Sequence, residues 1–183
     1  MATNVLNRQF KADRVNQKWC GDITYVRLRD GSFVSLAVVL DLYSRRVIGW
    51  SVADTLHTAL VTEAQQQALW QRRPSAGGVV MHTDQGCQYQ SREFRRLLQS
   101  WGVAQSLSRR GNCWDNAVAE SFFATLEVEV LPDLDLSTVE EARQEIGEWI
   151  AQVYNRCRLH SSLGYCSPVE YENRSLYNNP LST

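Results

Sequence analysis

No pair of cysteines in this chain stands at metal-knuckle or redox spacing. The five cysteines (Cys20, Cys87, Cys113, Cys157, Cys166) are scattered, odd in number and without a C-x-x-C pair. That pattern excludes a disulfide frame and a zinc knuckle and leaves free thiols. No uninterrupted apolar run approaches the ~20 residues that span a bilayer, so no membrane partner is expected. The N-terminal MATNVLNRQFKADRVNQ has no apolar signal core, so a cytoplasmic protein is expected. Internal repeats and low-complexity segments are lacking as well. So is a surplus of charge: 19 Lys and Arg against 20 Asp and Glu give a net charge of −1. A free-standing DNA binder usually carries a basic excess. Distribution matters more than the sum, however. Basic pairs stand at Arg45-Arg46, Arg72-Arg73, Arg95-Arg96 and Arg109-Arg110, whereas acids gather between Glu127 and Glu148. One basic face and one acidic helix are expected.

What is present is enough for one domain. At 183 residues, 44% hydrophobic and 21% charged, the chain can bury a single core without staples. Residues 1–18 are polar and aperiodic and read as an arm or linker. Residues 19–160 read as the core and 161–183 as a tail of weak structural signal. DITYVRL (Asp22 to Leu28) is rich in β-branched and aromatic residues, and Asp30-Gly31 supplies a turn. SFVSLAVVLD (Ser32 to Asp41) is nearly continuous in apolar residues, as in a strand buried on both faces. Val47 to Val52 follows, completing an antiparallel meander.

Thr58 to Arg72 then reads as a helix with Leu60, Ala64, Ala68 and Trp70 on its apolar side, ended by Pro74 and Gly77-Gly78. Val79 to His82 is a short strand stopping at Asp84, and Ser91 caps a helix over Arg92 to Ser100. Val103 to Leu107 is the fifth strand. Helices from Ala117 and from Thr138 to about Arg156 close the core. The order predicts an α/β fold, a mixed five-stranded sheet flanked by helices.

Three acids stand out. Asp22 is expected at the start of the first strand, Asp84 at the end of the fourth, and Glu120 in the first turns of the helix after Asn116. A carboxylate beside an apolar strand is costly to desolvate unless a cation or a hydrogen bond offsets it. Hard divalent cations do so through oxygen ligands. Two metals ~3.5–4 Å apart can activate the attacking oxygen and stabilise the leaving oxygen of an in-line phosphodiester displacement. Asp22 would bridge both ions, with Asp84 on one and Glu120 on the other.

Asp41 also ends an apolar strand and is read instead as a residue bonding the backbone of the turn that follows. Asp115 and Asn116 are read as caps of the helix carrying Glu120. His82, two residues before Asp84, shares its side of the strand and is expected to support the site from behind, as is Asn116. There is no G-x-S-x-G elbow for a serine hydrolase. Gln85 and Gln88, in the loop after Asp84, and Arg109, Arg110 and Asn112, upstream of Glu120, are expected to contact DNA, with Arg156 and Arg158 as a second basic cluster. The tryptophans read as core residues, Trp114 in its polar loop excepted.

The strings WCGDITYV, LAVVLDLYSRRVIGW, HTDQGCQY, SRRGNCWDNAVAESFF and YNRCRLHSSLGY-x-SP follow one another from about Asn7 to Glu172. In this order they closely resemble the catalytic core of bacterial insertion-sequence transposases of family three, within the retroviral-integrase-type superfamily. The 35 residues between Asp84 and Glu120 match the family's spacing between its last two acids. The resemblance implies a ribonuclease H-like fold, dependence on Mg²⁺ or Mn²⁺ with two ions expected and no small-molecule cofactor, and DNA strand cleavage followed by transfer of a 3′-hydroxyl. It implies DNA as partner, both element ends and target, a homo-oligomer in the working complex, and a bacterial, nucleoid-associated location when acting. Relatives carry a helix-turn-helix segment upstream, and nothing before Asn7 can form one. A truncated or inactive remnant that binds DNA or partner subunits, and a ribonuclease H-like nuclease using water, are the alternative expectations.

Overall fold

Each strand forms where the side-chain pattern matches its place in the sheet. The structure is a computed structural model describing residues 11–108 and 117–178. Strand β1 spans Lys18–Arg27, β2 Phe33–Asp41 and β3 Val47–Ala53. They pair antiparallel, β1 to β2 from Trp19↔Asp41 to Arg27↔Phe33, with Gly31 supplying the positive φ of 87° in the connecting turn. All residues of β2 but the first are buried, as its unbroken apolar run predicts. Strands β4 (Val80–Thr83) and β5 (Ala104–Leu107) add in parallel, giving the order β3-β2-β1-β4-β5. The expected mixed sheet is the one observed.

The sheet is covered on both faces. Helix α1 (Thr58–Arg72) and α2 (Arg92–Ser100) pack on one, burying Leu60, Ala64, Leu69, Phe94 and Leu98 with Trp19, Val39, Ile48 and Met81. Gly49 admits α1 closely, since a Cβ there would lie 2.1 Å from the Ala64 carbonyl oxygen. Ser91 caps α2 by accepting from the Phe94 amide at 3.1 Å, as expected. Helix α3 (Ala117–Glu129) and α4 (Val139–Glu148) cover the other face, where Val118, Ala119, Phe122, Leu126 and Ile146 meet Cys20, Val38 and Leu40.

Four sequence expectations need correction. Strand β1 begins at Lys18, because Trp19 and Cys20 already pair with both β2 and β4, so Asp22 lies inside the strand and not at its start. The long last helix of the core is interrupted: α4 stops at Glu148 and a wider π turn runs Trp149–Tyr154, where Trp149, Tyr154 and Phe122 interlock. Trp70 is not on the buried side of α1. Leu69, Ala68 and a fully buried Gln65 occupy that side, and Trp70 stays 65% exposed with its ring against Trp101 at 5.8 Å. Finally, Pro168–Asn178 is a helix, α5, whose Glu172 is buried against the body. A polar segment shows no apolar period when an ion cluster docks it.

Candidate active site

Register brings the first two acids together. In the parallel pair of β1 and β4, Cys20 stands opposite His82, and two residues further along each chain come Asp22 and Asp84. Adjacent strands lie roughly 4.8 Å apart, so the two carboxylates start from neighbouring backbones. Alternation puts Asp22 on the same face as Cys20, which is the face covered by α3. Asp22 is half-buried and accepts from the Ile23 amide at 2.9 Å. Asp84 is exposed just past β4, and its Oδ1 accepts from the Gly86 amide at 2.9 Å. Glycine at 86 leaves the carboxylate this Asx-turn pose, since a Cβ there would sit 2.9 Å from its oxygen.

The combined negative field is felt by two buried neighbours. Burial raises the Cys20 thiol far above its ordinary pKa, and the charge of Asp22 adds to it. Burial likewise raises the Tyr89 phenol, with Asp22 and then Asp84 contributing. Tyr89 lies beneath Gly21, whose missing Cβ would be 3.5 Å from the phenol oxygen. Sequence reading did not single out Tyr89, because a tyrosine in a polar loop carries no signal of burial until β1 is known to lack a side chain there.

Glu120 arrives from the helix above. Val118, Ala119, Phe122 and Phe123 bury one side of α3, which leaves Glu120 in the first turn exposed. The helix lies over the face to which Asp22 belongs. Among the described residues, no three acidic, imidazole or thiol side chains stand close enough to hold one ion. Asp22 and Asp84 are thus at adjacent positions, and Glu120 stands on the covering helix. The donor set is all carboxylate oxygen, which suits a hard divalent cation. Like charges repel, so three carboxylates draw together only when a cation sits between them.

The remaining candidates divide by what they bond. His82 is buried, with Nδ1 2.9 Å from the Ser106 hydroxyl on β5, behind the end of β4. The Gln85 side-chain amide donates to the Ser108 carbonyl at 3.0 Å and that of Gln88 to the Leu56 carbonyl at 3.3 Å, so both tie down the loop after Asp84. Arg156 is exposed, whereas Arg158 forms an ion pair with Glu129 at 2.7 Å. Arg109, Arg110, Asn112 and Asn116 lie outside the described residues, as do Cys113, Trp114 and Asp115. Asp41 is fully buried and accepts from the Tyr43 amide at 2.9 Å and the Asn16 amide at 2.8 Å. The turn reading of Asp41 holds, and burial pushes its pKa up to about 6. Cys20, Cys87, Cys157 and Cys166 are free thiols. Among the described residues no helix is long and apolar enough to cross a membrane.

A mixed sheet in this order, with one aspartate in β1, one just past β4 and a glutamate on the covering helix, defines a class. The integrase core domain matches residues 12–113 and again residues 101–168. The chain belongs to the integrase core domain family. Its sequence is 41% identical over 169 residues to the transposase for insertion sequence element IS904 of Lactococcus lactis subsp. lactis, covering 92% of this chain and 66% of that protein. It is 42% identical over 176 residues to transposase InsF for insertion sequence IS3A of Escherichia coli, covering 96% of this chain and 60% of that protein. The chain therefore spans less than two thirds of the length of these relatives. Its fold is similar to the HTLV-2 integrase catalytic core domain solved in complex with magnesium in a trimeric form. The TM-score is 0.67 at 17% identity, covering 88% of this chain and 99% of that one. The expected ribonuclease H-like fold is thereby met.

Proposed function

We propose that this chain is the catalytic core of a DNA transposase, cleaving a DNA strand and transferring its 3′-hydroxyl to a second site. The observation that supports the reading is the β1–β4 register, in which Cys20 pairs with His82 two residues before Asp22 and Asp84, beneath the helix that carries Glu120. Asp22, Asp84 and Glu120 would hold Mg²⁺ or Mn²⁺. Two such ions, when bound, supply Lewis-acid stabilisation of charge on the phosphodiester and ease deprotonation of the attacking hydroxyl.

The protein's own groups do the rest. Asp22 sits on the β1 backbone and Asp84 directly follows β4, and the Ile23 and Gly86 amides orient their oxygens. Glu120, on a helix and exposed, is the adjustable arm that completes the set. Tyr89 remains a protonated phenol beneath Gly21 and adds no further negative charge under the carboxylates. His82, bonded to Ser106, holds the β4 end against β5. DNA is the proposed substrate and partner, element end and target alike. A second copy of the chain is the other proposed partner, because transposition joins two ends in one assembly. Supporting this are the transposase relatives at 41% and 42% identity and the trimeric integrase core of similar fold.

The test is incubation of the chain with Mn²⁺ and a pre-cut element end, products resolved by size. Joined products are expected from the wild type. Asp22→Asn and Glu120→Gln, with unchanged circular dichroism, should each lose joining by on the order of 10²–10³-fold, as when a group stabilising developing charge is removed. Nicks without joining would favour a hydrolytic nuclease. Joining that persists in Glu120→Gln would remove the glutamate from the mechanism.

A further inference from the structure

A cavity of ≈ 400 Å³ opens on the α3 face beside the acids, lined by Arg45, Ser121, Thr125, Arg158, His160 and Ser161. Its chemistry is opposite to theirs: two guanidinium groups, an imidazole and six hydroxyls, with no acid among its lining residues. Ser121 directly follows Glu120 on α3. Thr125 stands one turn further along the same helix, and α3 packs over the sheet face to which Asp22 belongs. The cavity and the triad therefore share one surface.

Three independent features mark it as built for an anion. Arg45 has a φ of 59°, a left-handed backbone that arginine adopts only when its surroundings impose it, and among the described residues it has no ion-pair partner. His160 lines the cavity and is nine-tenths buried, and its Nε2, itself closed to solvent, has no hydrogen-bond partner among the described residues. Burial, reinforced by Arg158 and Arg45, lowers its pKa to about 4, so near neutrality the ring is uncharged and has one N–H to donate. Arg158 is held in place by both oxygens of Glu129, at 3.0 and 2.7 Å, which leaves the charge of Arg45 uncompensated within the cavity.

We propose that this cavity seats a backbone phosphodiester of the DNA strand that lies across the acids, Arg45 being its charged anchor and His160 its neutral donor. The assignment rests on the DNA-processing reading above and names a contact that reading does not supply. The ligand chemistry is a phosphate oxyanion, and a free inorganic phosphate is the competing source.

The experiment measures binding of a fluorescein-labelled duplex oligonucleotide to the whole chain in EDTA, over a series of KCl concentrations. Arg45→Asn removes the charge with a residue that tolerates a positive φ. Ser161→Glu adds an acid at the exposed rim without touching the core. Arg45→Asn is expected to weaken binding about 3- to 10-fold and to reduce the log–log salt slope by about 0.9, one phosphate. Ser161→Glu should weaken it in the same direction. In the wild type, ¹⁵N-histidine spectra should show the His160 ring shifting at far lower oligonucleotide than inorganic phosphate concentration. Unchanged slopes in both variants overturn the proposal, and so does a His160 shift that needs as much oligonucleotide as inorganic phosphate. Because no metal is present, either failure leaves the Mn²⁺ joining result, and with it the proposed function, untouched.

Discussion

Asp84 shows how one atom's absence can set the pose of a carboxylate. Its Oδ1 accepts from the Gly86 amide, and a Cβ at residue 86 would come within 2.9 Å of that oxygen and 3.2 Å of the Gln88 side-chain oxygen. Both are ends of side chains, so alanine displaces them at little cost to the fold. Gly86→Ala should therefore reduce Mn²⁺ affinity by roughly 10- to 100-fold, the scale of losing a group that orients a metal ligand. Calorimetric titration with Mn²⁺ reads the first quantity and thermal melting the second, with stability expected to change by less than about 1 kcal/mol. An unchanged affinity would mean that the Asx turn does not position Asp84. Asp84 itself was legible from its place after a short apolar strand and from the string around it. The need for glycine at 86 was not legible, because a turn hydrogen bond cannot be seen until the backbone direction is known.

Helix α5 belongs to the body because of Glu172. Its carboxylate accepts from the Ser44 hydroxyl at 2.7 Å and from Arg46 at 2.7 Å, and it pairs with Arg72 on α1. These donors hold its pKa below the ordinary carboxylate range against the opposing effect of burial. Glu172→Ala leaves two arginines facing one another beside Asp41 and should cost about 3–5 kcal/mol, the usual penalty for breaking a buried pair. Urea unfolding checks it. The sign with pH follows from the lowered pKa: Glu172 contributes its full stabilisation above the unfolded value of 4.5, and this is lost as pH falls through the folded value. Glu172→Gln should accordingly flatten the acid limb below pH 4.5, and an acid limb as steep as the wild type's would contradict the assignment. Elements with periodic cores, such as α1, α2 and β2, were legible to within a residue or two. The start of β1 and the docking of α5 were not, since both depend on partners distant in the chain: β4 for one, Arg46 and Arg72 for the other.

Across the whole molecule, a near-zero net charge hides a division of labour. Of the basic pairs in the sequence, Arg46 and Arg72 turn inward to Glu172, while Arg45 lines the cavity beside α3 and Arg95 and Arg96 stand exposed on α2. Glu140, Glu141, Glu145 and Glu148 keep α4 acidic and exposed, as the clustering of acids predicts. The central claim is that Asp22 in β1, Asp84 just past β4 and Glu120 on α3 act as one cation site. The most direct measurement is a titration of the ¹⁵N-labelled chain with Mn²⁺, following paramagnetic broadening of backbone amides. The account predicts broadening at residues 21–23, 84–86 and 118–121 at the same Mn²⁺ concentration, weakening in all three segments together in Glu120→Gln. Broadening confined to the acidic surface of α4, or to one of the three segments alone, would contradict it.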